Sequence, residues 1–69
     1  MIANKIHIFR AEKRLTQKQL ADSVGVSRQT IVAMEKNKYN PSLILAFKVA
    51  NALEQSITEV FTYSEEKEL

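Results

Sequence analysis

The chain has 69 residues and a net charge of +2, with no Cys, one Gly and one His, which excludes disulfides, a soft-donor zinc site and a glycine-rich phosphate loop. Its 45% hydrophobic content is that of a globular protein, and residues 1–69 read as one domain. A chain this short buries only about 60% of its unfolded surface, so its stability must come from idealised helix packing, self-association or both.

Five helical segments follow one another. The first spans about Lys5 to Lys13, with Ile6, Phe9, Arg10 and Lys13 at i, i+3, i+4, i+7. The second starts at Thr16, where Thr16 and Gln19 have the spacing of a capping box, and it buries Leu20, Ala21 and Val24. Gly25 supplies a left-handed end. Ser27 caps the third helix, whose inner face is Ile31, Met34 and Glu35. Residues 36–41 form a loop in which Asn37 tolerates the left-handed conformation. Ser42 caps the fourth helix, which runs to about Leu53 behind a stripe of Leu45, Ala46, Val49 and Ala50. A short fifth helix follows Ser56, where Ser56 and Glu59 repeat the capping-box spacing. Phe61-Thr62-Tyr63 and Met1-Ile2 are β-prone ends that could pair as a small antiparallel ribbon. Glu65-Glu66-Lys67-Glu68 reads as a frayed tail.

No run approaches the roughly 20 apolar residues that span a bilayer, and Met1 to Lys5 lacks the apolar core of a signal peptide. A cytoplasmic protein without a membrane partner is expected. Residues 1–41 hold eight Lys and Arg against three acids, a net of +5, whereas residues 42–69 carry a net of −3. An anionic partner for the first half is one reading and an ordinary solvated surface is the other.

Helices two and three, joined through Gly25 and Val26, have helix-turn-helix spacing. Leu15, Thr16, Gln17, Leu20 and Ala21, then Val24 to Ile31, Met34, Glu35 and Asn40 to Leu43, form a pattern that resembles the small DNA-binding domains of the phage repressor and Cro-like (XRE-type) family. The resemblance covers about residues 4–61, leaving 62–69 as a C-terminal strand and tail. The stretch from Lys38 to Leu43 followed by Phe61-Thr62-Tyr63 is similar to compact stand-alone regulators of that family, the kind that controls an enterococcal cytolysin operon. The resemblance implies an all-α, five-helix fold with a small β-ribbon from the chain ends, a homodimer, and double-stranded DNA as partner.

A helix in the major groove reads bases with its N-terminal residues, here Ser27, Arg28, Gln29 and Thr30. Gln pairs with adenine and Arg with guanine, so Arg28 and Gln29 are the leading readers. By the resemblance, Ala33 also occupies a base-reading position, but it departs from the longer polar residue often found there and offers only a methyl group. The resemblance assigns a phosphate contact to Gln17. Thr16 stands beside it but has its capping duty. Asn37, Lys38, Tyr39 and Asn40 form the loop that runs along the DNA backbone in this family. Lys38 and Asn40 are the leading candidates, and Tyr39 either lies on the backbone or covers the core edge.

Arg10 and Glu35 interrupt apolar faces, and an unpaired charge there would be prohibitive, so the two should meet. The family has a structural pair at these positions. His7 has no Cys or second His near it, Ser27 lacks a His–Asp partnership, and the tail acids are solvated. No catalytic residue, metal site, cofactor or small-molecule ligand is evident, and the chain is not read as an enzyme.

Ile2, Ile44, Phe47, Val60, Phe61 and Tyr63 exceed what a small core needs. A homodimer built from helix five, the C-terminal segment and the N-terminal strand, with Ile2, Val60, Phe61 and Tyr63 at the interface, would read two half-sites. The reading is a sequence-specific transcriptional regulator, a repressor that occludes a promoter. The alternatives are an antitoxin-like or adaptor protein that binds a protein partner, and a chromatin-type protein without sequence preference.

Overall fold

The computed structural model describes residues 2–65. Met1, expected in the strand, and residues 66–69 of the tail lie outside them. The elements run β1 (Ile2–Asn4), α1 (Ile6–Glu12), α2 (Gln17–Val24), α3 (Arg28–Glu35), α4 (Leu43–Ala52), α5 (Ile57–Val60) and β2 (Phe61–Tyr63). The two strands pair antiparallel, with Ile2 opposite Tyr63, Ala3 opposite Thr62 and Asn4 opposite Phe61. The ribbon expected of the chain ends is present, and β1 extends two residues further than Met1-Ile2 because Ala3 and Asn4 also find partners.

The starts of α2, α3 and α4 are each set by a side chain at the residue before the helix. Thr16 and Gln19 form the full capping box: the Gln19 N–H donates to the Thr16 hydroxyl at 3.0 Å, and the Thr16 N–H donates to Gln19 Oε1 at 2.9 Å. The hydroxyls of Ser27 and Ser42 accept from the N–H groups of Thr30 and Leu45. Such caps contribute about 1 kcal/mol each. The second capping box does not form. Ser56 makes no side-chain cap, and its hydroxyl lies 3.4 Å from that of Thr58. The helix is a single turn, and its Glu59 N–H is already taken by the Ser56 carbonyl at 3.0 Å. The Ser56 hydroxyl faces Thr58 instead of the Glu59 N–H.

Four helices end alike. At the ends of α1, α2, α3 and α4 an amide two residues past the last turn reaches back to a carbonyl: Leu15 to Arg10, Val26 to Ala21, Lys38 to Ala33 and Gln55 to Ala50. This is the Schellman arrangement, which needs a left-handed residue just before that amide. Gly25 (φ +80°) fills the position after α2, and a methyl group there would meet no atom within 4 Å, so conformation rather than space requires glycine. The other three positions are held by Arg14, Asn37 and Glu54, with φ near +60°.

The core is one cluster. Ile6 of α1, Leu20 of α2, Ile31 and Met34 of α3, Val49 and Leu53 of the α4 segment and Val60 of α5 are essentially inaccessible. Among the described residues no charged or polar residue is fully buried, and every buried side-chain nitrogen or oxygen has a hydrogen-bond partner. No described helix is long and apolar enough to cross a membrane.

Candidate nucleic-acid interface

α2 and α3 are fixed to each other by Gly25, Val26 and Ser27 and by the packing of Leu20, Val24 and Ile31. A second tie is ionic. Arg10 Nε donates to Glu35 Oε2 at 2.9 Å, Nη2 reaches Oε1 at 3.4 Å, and Nη1 donates to the Leu15 carbonyl at 2.9 Å. The side chains are 20% and 10% exposed, so the pair is largely withdrawn from water and well satisfied. One guanidinium thus joins α1, the entry to α2 and the end of α3. The meeting of Arg10 and Glu35 expected from their apolar faces is present.

Gln17 has a role the sequence did not indicate. Its Nε2 donates to Glu35 Oε1 at 3.0 Å, making it a third member of this cluster. One N–H of the amide remains for any phosphate. Thr16 keeps its capping role, and its hydroxyl proton stays free to donate.

The first turn of α3 divides in two. Ser27 and Thr30 are engaged with each other, hydroxyl to hydroxyl at 3.0 Å, while the Ser27 oxygen also accepts from the Thr30 N–H. Arg28 and Gln29 are exposed, and neither side chain has a hydrogen-bond partner among the described residues. Ala33 is half-buried further along the helix, so it offers less surface than the first turn. The loop after α3 is exposed from Lys36 to Asn40, with Tyr39 at 45%. Asn37 is the left-handed residue foreseen for the loop, and its Oδ1 accepts from Asn4 Nδ2 at 2.9 Å. Asn4 went unnoticed in the sequence, although an Asn two residues ahead of a helix start is a recognised turn signal.

The expected interface residues do not all lie at the surface. Val60 is completely buried in the core cluster and cannot serve a partner, because it fills the space between α5 and the rest of the core. Phe61 is half-buried against the same cluster, whereas Ile2 and Tyr63 are exposed. The larger exposed apolar groups sit on α4: Leu43 and Ile44 are each 70% exposed and Phe47 is 48% exposed. A shallow groove of about 290 Å³ between the start of α4 and the ribbon is lined by Ile2, Pro41, Leu43, Ala46, Ile57 and Phe61. Among the described residues no group of three or more His, Cys, Asp or Glu could hold a metal.

A family model described as helix-turn-helix matches residues 6–60. The chain belongs to this helix-turn-helix family. It is a DNA-binding transcriptional regulator of the XRE type, and the family is one of regulators rather than enzymes. It is 50% identical over 64 residues to an uncharacterized HTH-type transcriptional regulator of Methanocaldococcus jannaschii, covering 93% of this chain and 97% of that one. A crystal structure from Bacteroides fragilis superposes with a TM-score of 0.80 at 35% identity, over 90% of this chain and all of the other. The master regulator for biofilm formation SinR, solved in complex with DNA, matches with a TM-score of 0.69 at 32% identity, over 75% of this chain and 84% of the chain in that structure.

Proposed function

We propose that the chain acts in the cytoplasm as a repressor, binding a twofold operator as a homodimer in the manner of the compact regulators of its family. Residues 4–61 serve as one reading module. Arg28 and Gln29 read base edges, Ser27 and Thr30 border them, and Ala33 supplies a methyl contact. Lys38 and Asn40, together with Asn37, Tyr39, Thr16 and the remaining N–H of Gln17, meet the phosphates.

The observation that carries this reading is the contrast within the first turn of α3. Ser27 and Thr30 satisfy one another, and Arg28 and Gln29, the two side chains suited to bidentate base pairing, are left without partners. The ionic tie through Glu35 holds that turn at a fixed angle to α2. A dimer is supported by the apolar side chains that the monomer leaves in water on α4 and the ribbon.

Selecting bound sequences from a random duplex pool tests the proposal. The expected product is a twofold site with half-sites about 34–36 Å apart or a multiple of that. On that site Arg28→Ala and Gln29→Ala should each lose about tenfold to a hundredfold in affinity while keeping their binding to unrelated duplex. Unchanged operator binding by both variants would remove the major-groove assignment. A pool with no enriched sequence would favour the chromatin-type alternative.

A further inference from the structure

Asn4 lies at the end of β1, far in sequence from the reading helix, yet all three of its side-chain bonds are made. Its Oδ1 accepts the Ile6 backbone N–H at 3.0 Å. Its Nδ2 donates to the Met34 carbonyl at 2.8 Å and to the Asn37 side chain at 2.9 Å. A backbone N–H only donates and a carbonyl only accepts, so the Asn4 carboxamide has a single allowed sense. The Asn37 atom facing Nδ2 must therefore be its oxygen. That fixes the second amide as well: with Oδ1 of Asn37 occupied, the free end of this exposed side chain is Nδ2, which makes no hydrogen bond among the described residues. Asn37 itself is held by its left-handed backbone and by its N–H bond to Met34, the same carbonyl that Asn4 grips.

We propose that Asn4 is a positioning residue for DNA binding: by taking up Oδ1 of Asn37, it presents Nδ2 of Asn37 as a donor to a DNA phosphate. The inference rests on reading the 37–40 loop as a phosphate contact. An unconstrained Asn shows a phosphate its oxygen as readily as its nitrogen, and only the nitrogen binds. Asn4 removes that ambiguity. Because Asn4 belongs to the strand that pairs with β2, the ribbon also carries the end of α3.

The test uses the full chain, isotopically labelled, and a duplex of mixed sequence at low salt, since a phosphate contact does not need the operator. In the wild type the Asn37 side-chain amide signals should shift on adding duplex. Asn4→Ser keeps a hydroxyl that can cap the Ile6 N–H but is too short to reach Met34 or Asn37. It should reduce that shift and weaken duplex binding about twofold, because about half of the unconstrained Asn37 amides then show the phosphate their oxygen. Asn37→Gly retains the left-handed turn, should lose about fivefold, the worth of one hydrogen bond, and should make Asn4→Ser silent when the two are combined. The slope of affinity against salt should stay unchanged throughout, because a neutral amide releases no counterion.

Additive losses would show that Asn4 merely supports the fold, and would overturn the proposal. So would an Asn37 amide that does not respond to duplex in the wild type, a measurement that stands even if Asn4→Ser fails to fold. Failure of the base-reading proposal is distinguishable: there Arg28→Ala leaves operator binding intact while the Asn37 signals still respond.

Discussion

At the start of α3, Arg28 and Gln29 leave polar groups without partners, whereas Leu43, Ile44 and Phe47 along α4 leave apolar area in water. Both surfaces are incomplete in the isolated chain, but they ask for different complements. The first lies in the half of the sequence with net charge +5 and suits a polyanion with hydrogen-bonding edges. The second lies in the half with net charge −3, where phosphate would be repelled and an apolar surface is the natural cover. A single small module thus separates its two kinds of open surface by position, polar at the start of α3 and apolar along α4.

The most forceful way to break this separation is to remove the tie. Glu35→Ala leaves the Arg10 guanidinium largely withdrawn from water and without its carboxylate. It should cost about 3–5 kcal/mol, a large part of the total stability of a chain this size, read as a fall in the urea midpoint. The apolar surface comes next. Phe47→Lys puts a charge on the α4 patch without touching the core. It should weaken self-association by at least about tenfold, seen by sedimentation at micromolar concentration, with the helical circular dichroism retained. On the polar surface Lys38→Ala should reduce binding by similar factors on all duplexes and lower the salt slope by about 1. An effect confined to one sequence would move Lys38 from phosphate to base. The smallest change sharpens the scaffold itself: Arg14→Gly relieves a left-handed residue and should raise stability by up to about 1 kcal/mol in a thermal melt.

Much of the reading surface was legible because its signals are local. Thr16 with Gln19 marks the start of α2, Gly25 marks its end, and Ser27 and Ser42 mark the next two starts. Arg10 and Glu35 could be paired because each breaks an apolar face, where an unpaired charge would be prohibitive. What escaped was the part decided by tertiary geometry. Ser56 and Glu59 have the same spacing as Thr16 and Gln19, but at the single-turn α5 the Ser56 hydroxyl faces Thr58. Val60 reads as surplus hydrophobicity until the chain is folded and it fills the core. Gln17 looks exposed at the head of its helix, and only the closeness of Glu35 turns its amide inward. Nothing in the side chains of Arg14 and Glu54 announces a left-handed backbone, because the demand comes from the amide that follows them.

Those two residues bear on how such a regulator can change. Arg14 and Glu54 sit in left-handed turns outside α3 and the loop after it, and Glu54 pairs with Lys13 at 3.0 Å. Each is a place where one substitution to glycine relieves a left-handed backbone without touching Arg28, Gln29 or the core. On the proposed reading, a lineage that replaces Arg28 or Gln29 to adopt another operator, and loses some stability in doing so, has compensating steps at hand elsewhere in the chain. Divergence of specificity is therefore separable from survival of the fold.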